Sequence, residues 1–341
     1  MRTTFTALIL AALLVVSACS GQQSEGYHPM KSVPVAGEGG WDLVTVDSDA
    51  RRVYVAHSSK VDVLNADNGE IIGAVQPLDG AHGVAIVKAT GHGFATSGKS
   101  DSVKIFDLKT LALTGEIKTG KKPDFILFDS KTKHLFVFNA DGDSATVIDA
   151  VHEKAIATIK LGGAPEFAVA DGKGHVFVNL EDKSQMLGLN TRSLKVEKRW
   201  NLSPCVEPAS LSIDRQNNRL FAGCSNNVLA VIDAKNGKVI TTLPIGDHVD
   251  SNAFDGRTHE IISSASDGTM TVIAQDDADH YHVAQTVTTP LRSRTLGLDE
   301  STHRIFVPSA SFGPTPAPSA ENPKGRPQVL PGTFNVQIFS R

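Results

Sequence analysis

The stretch KPDFILFDSKTKHLFVFN, Lys122 to Asn139, returns about forty residues later as APEFAVADGKGHVFVN, Ala164 to Asn179. In both, an acid follows a proline: Asp124, then Glu166. An alternating apolar run leads to an Asp five residues on (Asp129, Asp171), and a second apolar run follows. The template recurs as WDLVTVD at Trp41, HGVAIVK at His82, PASLSID at Pro208, VDSNAFD at Val249 and SRTLGLD at Ser293. The residues in register are then Asp42, Gly83, Asp124, Glu166, Ala209, Asp250 and Arg294, spaced 41 to 44 apart. A fixed period of this length signals a repeat architecture.

Each unit reads as four short strands. VYVAH and LFVFN are second strands, KVDVLNA and SATVIDA third strands, EIIGAVQ and KAIATIK fourth strands. β-Branched residues, period-two alternation and turn pairs such as Asn68-Gly69 and Asn236-Gly237 support this reading. Nothing of helical period follows residue 19. Seven four-stranded antiparallel units predict an all-β fold, a seven-bladed β-propeller over residues 30–341. The last unit has only three strands, the third being FNVQIF, Phe334 to Phe339. HPMKSVPVA, His28 to Ala36, is expected to supply the fourth, closing the ring and removing a free sheet edge.

The 341-residue chain carries a formal net charge of −4 and no long basic tract, which disfavours nucleic-acid binding. Its first segment, MRTTFTALILAALLVVSAC, has Arg2 and an apolar run from Ala7 to Val16. That run is too short to span a bilayer and has the flanks of a signal peptide, assigned to residues 1–18. Val16-Ser17-Ala18-Cys19 resembles a bacterial lipobox, which implies lipidation of Cys19 and a membrane anchor. Ser20 in second place implies outer-membrane sorting, facing the periplasm or the cell surface. Residues 19–29 read as the lipidated cysteine and a flexible tether, and a monomer is expected. Export places Cys205 and Cys224 in an oxidising compartment, where a pair is usually bridged; a soft metal site or two free thiols is the alternative.

The second strands Tyr54-Val55-Ala56-His57, Phe94-Ala95-Thr96-Ser97 and Phe136-Val137-Phe138-Asn139 are similar to the YVTN motif. From Tyr27 to Arg341 the chain resembles the seven-bladed YVTN-repeat, YncE-like family of exported bacterial propellers. That resemblance implies a fold and an exported location, and no particular reaction.

In a propeller the first strand of each blade lines the axial channel. The register residues Asp42, Asp124, Glu166, Asp250 and Arg294 are therefore expected around one funnel. Lys122, Glu207, His248 and Arg292 lie two residues earlier, Trp41 and His82 one residue earlier. The second strands end on the same face with His57, Ser97, Asn139 and Cys224. The candidate ligand-binding set is Trp41, Asp42, His57, His82, Asp124, Glu166, Glu207, Asp250, Arg292 and Arg294. Like charges about 8 Å apart cost roughly 2 kcal/mol per pair at an effective dielectric near 20, so four carboxylates need compensation. Arg292, Arg294 and Lys122 can supply it internally. A divalent cation such as Ca²⁺ on Asp42, Asp124, Glu166 and Asp250 can supply it instead, as can protons.

Two functions fit. One is a binding module taking a small ligand, a cation or a protein partner at the acidic funnel. The other is a metal-dependent hydrolase or lactonase, with the ion polarising a carbonyl and His82 or Glu166 moving protons. No nucleophile elbow, HExxH, P-loop or dinucleotide fingerprint is present. The acids at the other end of the template (Asp47, Asp129, Asp171, Asp214, Asp255, Asp299) read as turn caps. His280 and His282, in DDADHYH, read as a solvated turn on the opposite face. The segment from Ser311 to Gly332, rich in proline, is too long for an ordinary blade loop. It is expected on the funnel side, as a lid or docking arm or as a disordered insertion.

Overall fold

The computed structural model describes residues 26–319, 322 and 325–341. The expected signal peptide, Cys19 and the expected tether through residue 25 lie outside the described residues. Seven sheets of four antiparallel strands follow one another along the chain, and each first strand faces the axis. Blade one is Trp41–Asp47, Arg52–His57, Lys60–Asn65 and Ile71–Val75; blade three is Pro123–Asp129, His134–Asn139, Ser144–Asp149 and Lys154–Lys160. In the seventh blade the inner strand is shortened to Gly297–Asp299, and Arg304–Ser309 and Asn335–Ser340 come next. His28–Pro34 pairs with Asn335–Ser340 as the outermost strand, so the two ends of the chain share one sheet. Among the described residues no helix is long and apolar enough to cross a membrane.

Residues just ahead of position 30 are packed into the propeller. Tyr27 is buried, and Gln285 holds it from both sides: its Oε1 accepts from the Tyr27 N–H and its Nε2 donates to the Tyr27 carbonyl, both at 2.8 Å. His28 and Pro29 already belong to the closing strand.

Alternation decides the packing. Middle strands such as Leu135–Asn139 and Val176–Leu180 are buried on both faces because blades stack on either side. Buried apolar residues gather into seven clusters, one between each pair of neighbouring blades. The core is thus a ring of seven seams, and the one between blades seven and one forms only when the ring closes.

The acids at the end of the inner strands cap turns, as expected. Asp171 accepts from the backbone N–H groups of Lys173, Gly174 and His175, and Asp214 from those of Gln216 and Asn217. Cys205 and Cys224 form a disulfide, with Cα atoms 5.5 Å apart, that ties the entry to blade five to the end of its second strand. Closing a loop of this size contributes roughly 3 kcal/mol in the chain-entropy picture.

Val33 is the inward residue of the closing strand, packed with Phe334, Val336 and Ile338. Val33→Asp buries an unpaired charge in the closing seam and is expected to cost about 3 kcal/mol by urea unfolding. Met30→Asp, on the exposed side of the same strand, should change stability by less than about 0.5 kcal/mol. Equal effects from the two would show that this strand does not hold the ring shut.

Candidate functional site

The axial ring is produced by a local irregularity. In blade three Pro123 pairs with Asn139 and Ile126 with Val137, so Asp124 and Phe125 together oppose one residue. The same break in register follows Trp41, Ala81, Pro165, Pro208 and Val249. A β-bulge inserts an extra residue, bends the strand and re-aims a side chain. In six blades it falls at the first turn of the inner strand. The residues it presents are Asp42, His82, Asp124, Glu166, Ala209 and Asp250; Arg294 takes the equivalent place in blade seven.

This corrects the expected register in blade two. Ala81 pairs with Ser97 as Trp41 pairs with His57, so His82 and not Gly83 stands in line with Asp42 and Asp124. His82 lies between the carboxylates of the two neighbouring blades. Its Nδ1 is 2.5 Å from Asp42 Oδ2 and 3.6 Å from Asp124 Oδ1. One ligand atom from each of Asp42, His82 and Asp124 falls within 4.8 Å of the others. Gly98 makes room for the ring: a Cβ there would lie 2.7 Å from His82 Nε2. Buried Thr96 fixes the backbone beneath. Its hydroxyl donates to the Asp124 carbonyl at 2.8 Å and accepts from the Gly83 N–H at 2.7 Å. On the other side the Thr295 hydroxyl donates to the Asp42 carbonyl.

Glu166 and Asp250 belong to the same ring but not to the tight triad. Arg294 Nε donates to Asp250 Oδ2 at 2.9 Å. Glu166 is hydrogen-bonded to Glu181, a ring member that the repeat template did not reveal. Glu181 directly follows the second strand of blade four. The equivalent residues elsewhere are Ser58, Gly98, Ala140, Ser225, Ser266 and Ala310, so a lone acid among small residues was the available signal.

Burial and mutual repulsion hold these carboxyls far from their ordinary range. Burial, then the Asp42 charge, pushes Asp124 up to about 6. Burial, then Asp124, Glu181 and Asp250, pushes Glu166 up to about 9. Asp250 reaches about 7: burial outweighs the opposing Arg294 charge, and Asp42 and Asp124 add to it. The Arg294–Asp250 pair is therefore fully ionised only above neutral pH. Burial disfavours the His82 cation, but the bond to Asp42 and the charges of Asp124 and Asp42 outweigh it, and its pKa rises. Below the ring the channel narrows to about 390 Å³ of largely apolar space between residues such as Leu43, Phe125 and Phe167.

Other expected ring residues stand elsewhere. Lys122, Glu207, His248 and Arg292 take left-handed backbone conformations just before the inner strand, with φ between 48° and 67°. Their side chains are exposed at the rim. Lys122 Nζ lies 3.6 Å from Asp141 and His248 Nδ1 2.9 Å from Asp247; the Arg292 guanidinium lies over the Phe312 ring. His57 is not in the funnel either. It is buried, with Nδ1 2.9 Å from Asp62, and its ring packs 4.0 Å from that of Phe334. Trp41 is half-buried against Phe334 and Phe312. Asn139 and Ser97 are buried in local hydrogen bonds, and Cys224 is in the disulfide. His280 and His282 are exposed beside Asp277 and Asp276.

Fold and ring together define a seven-bladed β-propeller that gathers ionisable side chains at one mouth of its axial channel. No protein-family model and no curated protein sequence matches the chain. Among solved structures it is similar to Kuenenia stuttgartiensis hydrazine synthase, over 87% of this chain and 97% of that one. The TM-score is 0.71 at 15% sequence identity, a likeness that establishes the shared fold.

A carboxyl or histidine whose pKa is raised on folding binds more protons folded than unfolded, so stability falls as pH rises through that interval. Asp124, Asp250, Glu166 and His82 all act in this direction. In chelator-treated protein the thermal midpoint should fall from pH 5 to pH 9. Glu166→Gln should flatten the upper part of that fall and raise the midpoint at pH 9 by about 2–5 °C. Differential scanning calorimetry across the range checks this; an unchanged slope in the variant would show that Glu166 does not carry a buried charge.

Proposed function

We propose that the chain is an exported, lipid-anchored binding propeller of the YVTN-repeat type, holding a cationic ligand at its axial ring. The observation that carries the reading is the triad Asp42–His82–Asp124 inside a ring with three more carboxyls, Glu166, Glu181 and Asp250. Arg294 pairs with one of them, and His82 bridges two. Glu166 is instead kept protonated by burial and by the acids around it, and a cation entering the ring would offset the same repulsion.

The donor set favours a particular kind of cation. One imidazole nitrogen with two carboxylate oxygens suits borderline Zn²⁺ best, tolerates the harder transition ion Mn²⁺, and suits Ca²⁺, which takes oxygen ligands, least. Asp42, His82 and Asp124 would hold the ion, and Glu166 and Asp250 would face it across the ring. His82 Nδ1 must lose its proton and its bond to Asp42 to bind, so affinity should rise with pH.

Hydrolysis of a lactone or ester at the same place is the second reading, favoured by the elevated Glu166 carboxyl. A group protonated at neutral pH beside a cation site can donate to a leaving oxygen. Hydrolysis of simple lactones that disappears with Glu166→Gln would select it.

Isothermal titration of chelator-treated protein with ZnCl₂, MnCl₂ and CaCl₂ tests the binding reading. One equivalent of Zn²⁺ or Mn²⁺ should bind, about tenfold or more tightly at pH 8 than at pH 6. Asp42→Asn with Asp124→Asn should abolish binding, and His82→Gln should weaken Zn²⁺ more than Ca²⁺. No heat and no thermal shift with any of the three ions would overturn the cation site. For the anchor, Cys19→Ser should move the protein from the membrane to the soluble extracytoplasmic fraction; unchanged partitioning would refute lipidation there.

A further inference from the structure

The proline-rich segment of blade seven is folded onto the ring face. Its two arms pair at Phe312 and Val329, where the Gly313 N–H donates to the Gln328 carbonyl at 2.9 Å. The Leu330 N–H donates to the Ser311 carbonyl at 2.8 Å. Phe312 is the foot of the arm, 5.9 Å from Trp41 and 5.3 Å from the Arg292 guanidinium carbon. Between the arm and the segment Gly37–Trp41 opens a cleft of about 960 Å³, near the top of the usual size range for a small-molecule site.

The charge of this cleft is opposite to that of the ring beside it. Arg292, Arg294 and Arg326 line it, and Glu38 is the single acid among its described lining residues. Arg294 forms the partition: it lines the cleft while its Nε donates to Asp250 in the ring. Trp41 and Phe312 supply flat apolar wall next to Arg292. Guanidinium forks match carboxylates in a planar, two-point geometry, and aromatic faces take a flat apolar body. The prolines hold the arm extended at low entropic cost, so the wall stands before a ligand arrives.

We propose that this cleft is a second binding site, distinct from the cation ring, for a small anionic ligand of the aromatic-carboxylate class. The carboxylate meets Arg292 and Arg326, and the ring of the ligand lies against Trp41 and Phe312. The proposal does not depend on cation occupancy at the axis.

Titration of the purified protein with naphthoate, by calorimetry and by quenching of Trp41 fluorescence in a Trp200→Phe background, tests it. Trp200 lies in blade four, stacked on Phe177, remote from the cleft. Saturable binding and quenching are expected, with uncharged naphthamide bound about tenfold more weakly. Arg326→Ala should weaken naphthoate about tenfold and leave naphthamide unchanged. Because Arg292 also packs on Phe312, its test is paired: Arg292→Ala should lose binding and Arg292→Lys should recover part of it. Zn²⁺ binding at the axis should be the same in Arg326→Ala as in the parent, which separates failure here from failure of the ring assignment. Absence of saturable binding, equal affinity for the acid and the amide, or parental affinity in both Arg326→Ala and Arg292→Ala would overturn the proposal.

Discussion

One extra residue near the start of six of the seven inner strands governs this molecule. The ladder between first and second strands breaks there in six of the seven blades, and the unpaired residue turns its side chain toward the axis. Backbone and hydroxyl contacts between blades then set the height of each residue. Thr96 ties blade two to Asp124, Thr295 ties blade seven to Asp42, and the Thr45 hydroxyl reaches the Val84 carbonyl from blade one to blade two.

Electrostatics at the ring follow from that placement. A wheel of like charges in partial burial has three remedies, and the protein uses two: an internal cation, at Arg294 and His82, and retained protons, on Glu166, Asp250 and Asp124. Each remedy is conditional. The ion pair weakens as Asp250 takes up its proton, and the histidine bridge weakens as His82 loses one. The change at Asp250 falls near neutral pH, so the ring's net charge responds to the pH of its surroundings.

The repeat made the blade count, the strand order and the closing strand legible, because hydrophobic alternation over a forty-two-residue period has few other solutions. The turn acids were legible for a local reason: an Asp two or three residues before its N–H partners caps itself. What misled was blade two. Its inner strand ends at Val87 and has no capping Asp, so nothing in its sequence anchored the template to within one residue. Lys88, which aligned with Asp47, instead reaches across to pair with Asp47 itself at 2.8 Å. A one-residue slip put Gly83 where His82 belongs, so the sequence placed His82 at the funnel beside the ring instead of within it. The residues before the bulge were misplaced for a related reason. Left-handed backbone at Lys122, Glu207, His248 and Arg292 swings their side chains outward, and no residue type there announces it. His57 was lost to the funnel because Phe334 packs over it, a contact between segments far apart in sequence.

The pairing of His28 with Ser340 has a temporal side. The two strands lie at opposite ends of the propeller's sequence, so this sheet rests on a long-range pairing that no local hairpin can supply. Six blades are built from strands consecutive in sequence, whereas the seventh needs one from the other end of the propeller. Long-range pairing of this kind favours a late, cooperative last step in forming the ring.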